Sequence, residues 1–204
     1  MFDVRDLERG NMVSRRPGRR RIRGGGAILG IALALVCAGG TRARADQPSF
    51  EEYKVKAAYL YNIAKFVTWP DSSLGPADST FAIGILGSDP FGHDLDDLLS
   101  GRMVGGRRIV VRRAETPTGL GCCQILFLSR SLEGHARSLV GQLGRCCTLT
   151  VSDMADFGSQ GGMITFYLDG DRVRFDINHD AARRIGLVIS SQLLALAQPS
   201  RGER

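Results

Sequence analysis

CCQILFLSRSLEGHARSLVGQLGRCCTLTV, residues 122–151, holds the pattern that decides the fold. Ile125 to Leu128 is a short apolar run between turn residues, the mark of a buried strand. Ser131 to Leu143 reads as a helix, and Thr148 to Val151 as a second strand. A helix joining two strands makes them parallel, in a right-handed βαβ unit. Each strand is immediately preceded by two cysteines, Cys122-Cys123 and Cys146-Cys147. Parallel strands start at the same end of a sheet, about 5 Å apart when adjacent. The two cysteine pairs then come within disulfide reach, and at least one bridge between them is expected. Which cysteine pairs with which is left open. Adjacent cysteines lack the C-x2-C spacing of a zinc site, and no C-x-x-C is present to lower a thiol pKa.

The same alternation continues on both sides. Residues 50–69, FEEYKVKAAYLYNIAKFVTW, read as a largely buried helix, with Ser49 as cap, Glu51 and Glu52 in its first turn and Pro70 as stop. Phe81 to Leu86 is a buried strand, Gly87-Ser88-Asp89-Pro90 a turn, and Phe91 to Leu99 a helix. Residues 108–113, RIVVRR, form another strand. Beyond the central unit, Asp153 to Phe157 is a short turn or helix. Met163 to Leu168 and Val173 to Ile177 are strands joined by the hairpin signal Asp169-Gly170-Asp171. Asn178 caps a final helix from Asp180 to Ala197. The expected class is α/β: three-layer and Rossmann-like, with a mainly parallel sheet and an antiparallel hairpin near the C-terminus.

The amino-terminal segment has the grammar of a secretory signal peptide. Arg15, Arg16, Arg19, Arg20, Arg21 and Arg23 precede the apolar run Ala27 to Ala38, and Ala43-Arg44-Ala45 forms a small-residue cleavage site. The apolar run is too short to span a bilayer, which takes about 20 residues. Residues 1–45 are therefore expected to be removed, leaving a periplasmic domain over 46–198 and a frayed polar tail at 199–204. The segment carries 10 of the 27 basic and 3 of the 21 acidic residues, which leaves 17 against 18. The pI near 9.4 thus belongs to the export segment and gives no support for nucleic-acid binding. The run Arg107, Arg108, Arg112, Arg113 reads as a solvated strand edge.

No constellation of catalytic, cofactor-binding or metal-ligating residues is read from the sequence. His93, His135 and His179 have no ligand spacing with one another, and there is no G-x-S-x-G elbow. Gly84-Ile85-Leu86-Gly87 lacks the G-x-G-x-x-G pattern and the Walker lysine. Asp94, Asp96 and Asp97 read as a solvated helix face, Asp153 and Asp156 as capping and turn residues, and Gly161-Gly162 as a permissive turn. Trp69-Pro70 reads as a packed anchor at a helix end, with the indole as an alternative partner surface.

Five stretches occur in an order that carries a resemblance: KAAYLYNIAKFVTWP (56–70), IGILGSDPFG (83–92), CQILFLS (123–129), LTVSDMADFGSQGGMITF (149–166) and VRFDINHDAARRIGLVISSQLLALA (173–197). Together they resemble the YfiR family of periplasmic proteins. The resemblance implies a regulator without catalysis and without a cofactor. It implies binding to the sensor region of an inner-membrane diguanylate cyclase, holding the cyclase off and so limiting cyclic di-GMP and biofilm formation. Family members also stand beside histidine kinases. An outer-membrane lipoprotein with a peptidoglycan-binding domain is the implied antagonist, and a homodimer the implied assembly. The best-known members carry a cysteine pair in the stretch matching Gly158 to Met163, where this chain has none, so their disulfides do not transfer. The exposed side of the first helix, with Asn62, Lys65 and Trp69, is the candidate partner surface. The alternative is a periplasmic small-ligand module, with a pocket at the carboxyl ends of the parallel strands lined by residues 87–91 and 152–156.

Overall fold

The computed structural model describes residues 50–143 and 146–197. The signal-peptide, Ser49 cap and tail expectations lie outside the described residues. Helix α1 (Phe50–Phe66) is followed by β1 (Val67–Thr68), α2 (Asp71–Leu74), β2 (Phe81–Leu86), α3 (His93–Leu99), β3 (Met103–Val104) and β4 (Arg107–Ala114). Then come β5 (Ile125–Leu128), α4 (Ala136–Gln142), β6 (Leu149–Ser152), β7 (Ile164–Asp169), β8 (Arg172–Ile177), α5 (His179–Arg184), β9 (Val188–Ile189) and α6 (Ser191–Leu196).

Seven strands form one sheet in the order β3-β4-β2-β5-β6-β7-β8. The five from β4 to β7 run parallel, and β3 and β8 are antiparallel edges. The fold is therefore α/β with a mostly parallel sheet, and the terminal hairpin turns at Gly170-Asp171 as its sequence predicts. All six residues of β2 are buried, as are all four of β5 and of β6, the pattern of strands covered on both faces.

Alternation along the strands sorts the core into two apolar clusters. Phe81, Ile83, Ile85, Ile125, Phe127 and Val151 pack with Ala57, Leu60 and Ile63 of α1 and Leu95 of α3. Ala82, Leu86, Leu126 and Leu128 face the other way, onto Ala136, Met154 and Phe157.

Three segments depart from the sequence reading. The first helix ends at Phe66, and β-branched Val67 and Thr68 pair antiparallel with β9 instead. The long final helix is two short ones. Gly186, at φ +79°, closes α5: its N–H donates to Arg183 O and that of Leu187 to Ala182 O, the double bond of a Schellman cap. The chain then extends through β9 before Ser190 caps α6 by accepting from Leu193 N. The helix expected from Ser131 begins only at Ala136, after a single 3-10 turn and Gly134 at φ +90°. The short β3, with its Gly105-Gly106 turn, has two residues and so carries no periodicity in the sequence.

Candidate functional site

The strand order reverses beside β2: the chain goes from β2 out to β4, then back to β5 on the other side. In open α/β sheets the carboxyl ends at such a point form a crevice where ligands commonly bind. Here α1 closes over that end of the sheet. Asp153 is the first residue after β6, and Arg130 the second after β5. Glu52, Tyr53 and Lys56 come down onto them from the first turns of α1.

Lys56 is 1% exposed, and its Nζ lies 2.5 Å from Asp153 Oδ2, whose side chain is fully buried. The same ammonium pairs with Glu52, one turn earlier on α1. Tyr53 donates its hydroxyl to Asp153 Oδ2 at 2.8 Å. Arg130 donates Nε to Asp153 O at 3.2 Å, and that nitrogen stands 3.4 Å from Oδ2. One buried cation and two buried carboxylates thus meet inside the fold, with the exposed Arg130 supplying the balancing charge from the surface. Burial, and next the Asp153 charge, push the Tyr53 phenol well above its usual range. Phe91 packs edge-on to Tyr53 at 5.3 Å and to Phe127 at 4.8 Å, tying the cluster to the core.

Of the residues expected to line a ligand pocket, Ser88, Ala155 and Asp156 are exposed. Phe91, Ser152, Asp153 and Met154 are all buried. An open pocket of about 290 Å³ lies at the amino ends of β6 and β7, lined in part by Arg137, Thr148, Thr150, Met163 and Arg184. It is at the opposite strand ends from residues 87–91 and 152–156. Asp153 is more than a turn residue; it is the anchor for α1. The signal for this was present in the sequence. Glu52, Lys56, Leu60, Ile63 and Val67 form one stripe at helical spacing, so two opposite charges sit on an otherwise apolar face.

Cys122 and Cys146 form a disulfide, with Cα atoms 5.4 Å apart at the amino ends of β5 and β6. Cys123 is free and buried, and burial raises its thiol pKa. Cys147 is free and half-buried, with its backbone at φ +47°.

Of the partner-surface candidates, Lys65 is exposed and Asn62 half-buried. Trp69 is a correction: it is 4% exposed, packs edge-on against Phe81 at 5.0 Å and donates Nε1 to Gln124 O at 3.1 Å. The helix ends before it, and the extended chain turns the indole inward, leaving the anchor role. In the basic run Arg108, Arg112 and Arg113 are exposed, as a solvated strand edge requires, and several of its guanidinium groups are also held by the chain itself. Arg107 donates to Gly75 O and Pro76 O, and Arg112 to Leu120 O and Cys122 O. Arg113 pairs with Asp89 at 2.7 Å and Asp96 at 2.5 Å. Asp96 therefore belongs to an ion pair rather than to a purely solvated face. Gly161, at φ +97°, is the permissive turn position; Gly162 is needed for a different reason, since a Cβ there would enter the Phe157 ring.

No helix among the described residues is long and apolar enough to cross a membrane. Among solved structures, the crystal structure of a conserved domain protein from Vibrio cholerae O1 biovar El Tor strain N16961 superposes with a TM-score of 0.48 at 12% identity. The match covers 70% of this chain and 59% of that one, so this chain spans less than two thirds of that protein. The YfiR/HmsC-like family, one of periplasmic regulators rather than catalysts, has a model that matches residues 53–198, from Tyr53 in the charge cluster to the end of the described fold. The chain belongs to the YfiR/HmsC-like family.

Proposed function

We propose that this protein is a non-catalytic periplasmic regulator that binds the sensor region of an inner-membrane signalling protein. Repression of a diguanylate cyclase, with lower cyclic di-GMP and less biofilm, is the output. The observation that carries the reading is the family match over nearly the whole folded domain. Such a regulator works by binding one state of its target better than the other, which shifts the target toward that state. Residues 1–45 serve as a cleaved export signal in this reading, and an oxidising compartment suits the Cys122–Cys146 bridge. An outer-membrane peptidoglycan-binding lipoprotein would compete for the regulator. The fold is read as a three-layer, Rossmann-like variant, with one apolar cluster on each face of the sheet.

The contact surface proposed is the outer stripe of α1. Val55 is 45% exposed, and Ala58, Asn62 and Lys65 follow it at helical spacing. Lys65→Glu should weaken capture of the membrane partner's periplasmic domain, and unchanged capture rules this face out. Deleting the gene should raise cellular cyclic di-GMP. An unchanged level under all growth conditions sinks the cyclase-repressor reading.

A second reading, a small-ligand module, is favoured by the pocket between α4, α5 and the starts of β6 and β7. A thermal-shift screen decides it, since a ligand bound to the native state must raise the melting temperature.

A further inference from the structure

The cavity of about 290 Å³ at the amino ends of β6 and β7 brings two guanidinium groups together with apolar surface. Arg137 and Val140 come from α4, Thr150 from β6, Met163 from just before β7, and Arg184 from α5, with Ile185 following it. Among the described residues that line it, none is acidic.

These two arginines are placed unlike those of the basic run, where Arg113 is held between Asp89 and Asp96. The Arg184 guanidinium makes no hydrogen bond or ion pair with another described residue. Arg137 donates Nη2 to Ser159 O at 3.3 Å and keeps its other donors for a ligand. A basic residue in the last turn of α5 suits the helix dipole, but Arg137 stands in the first turn of α4, where a cation is disfavoured. An anion shared with Arg184 offsets that cost.

The sheet adds a polar group from a buried position. Thr150 is 1% exposed, and its hydroxyl accepts from Met163 N at 3.2 Å. Its own O–H has no acceptor among the described residues. Val140, Leu143, Met163 and Ile185 give the apolar lining. Ligand sites combine such a lining with a few convergent polar groups. One wall is also tied down: Leu143 O accepts from Cys146 N at 3.3 Å, and Cys146 is bridged to Cys122. A fixed wall spares a ligand the cost of ordering it.

We propose that this cavity binds a small organic carboxylate with an apolar body. The carboxylate pairs with Arg137 and Arg184, whose planar forks match its two oxygens. The apolar body covers Met163 and Ile185. A bare inorganic anion leaves that apolar surface wet, and a neutral apolar molecule leaves both guanidinium groups unpaired. A cavity of about 290 Å³ is at the lower end for ligand sites, so it suits an acid with one ring or one short branched chain. This inference rests on the small-ligand reading and gives it a ligand class.

Titration calorimetry of the purified chain with 3-phenylpropionate tests it, beside 3-phenylpropanamide and inorganic phosphate. One site per chain is expected for the acid, with the amide and phosphate each bound at least about tenfold more weakly. Arg184→Gln should weaken the acid about tenfold and leave the amide unchanged. Gly141 lines the cavity from α4, and a Cβ there meets nothing within 4 Å. Gly141→Leu therefore adds bulk at the cavity and favours the helix. It should abolish binding of the acid, with Trp69 emission unchanged. Acid and amide bound alike, phosphate bound as tightly as the acid, or the acid bound alike by native chain and Arg184→Gln, each overturns the carboxylate class. Full binding by Gly141→Leu overturns the cavity. If 3-phenylpropionate fails to bind while a ligand of another class raises the melting temperature, this proposal falls and the small-ligand reading stands. If no ligand of any class raises it, both fall.

Discussion

Replacing Lys56 with methionine tests the charge cluster that fastens α1 to the sheet. The two side chains are similar in length, so Lys56→Met removes the ammonium without opening a large cavity. Breaking one side of a buried ion pair typically costs about 3–5 kcal/mol, because a charge is left buried without its counterion. Asp153 keeps the Tyr53 hydroxyl and the Arg130 guanidinium, and Arg130 is 43% exposed. The loss should therefore fall at the lower end, about 3 kcal/mol. For a domain of this size that lowers the melting temperature by about 9 °C. Trp69 is the chain's single tryptophan and is buried against Phe81, so urea unfolding can be followed by its emission. The midpoint should drop with the slope unchanged. Adding Asp153→Asn to Lys56→Met should cost less than the sum of the single changes, since the two residues are coupled. A loss for Lys56→Met below about 1 kcal/mol, the scale of exposed ion pairs, would refute the claim that this cluster is closed to water.

Cys146→Ser opens a link between residues 24 apart and should lower stability by about 3 kcal/mol; non-reducing peptide mapping should find Cys122 joined to Cys146 in the native chain. Of the two free thiols among the described residues, Cys147 should be alkylated in the native state and Cys123 only after unfolding, which mass spectrometry of labelled peptides reads directly. Gly162→Ala should cost at least about 1–3 kcal/mol in urea melts, because the Phe157 ring must leave its place. Burial raises the Asp176 carboxyl above its ordinary pKa, so this group contributes less stability as pH climbs through that range. Arg174 and Arg172 precede it on β8, and Thr165 stands opposite on β7. The melting temperature should therefore fall more steeply from acidic toward neutral pH in the native chain than in Asp176→Asn.

Local sequence pattern is enough for the α/β class, the central β5-α4-β6 unit, the terminal hairpin and the meeting of the two cysteine pairs. Those follow from local rules: uninterrupted apolar runs mark strands buried on both faces, and a helix between two of them makes them parallel. It also carried the family, through five ordered stretches. It did not tell that Gly186 closes α5, because a glycine within a helical pattern is tolerated as often as it is a stop. That Asp153 receives Lys56 emerges from the folded chain, since residues 97 apart in sequence meet through the path of α1 over the sheet. The same holds for Trp69, whose inward turn depends on β1 finding β9. The β8 edge joins both levels. Its alternating charges are written in the sequence, but only the register of the hairpin sets Arg174 opposite Tyr167 and Asp176 opposite Thr165.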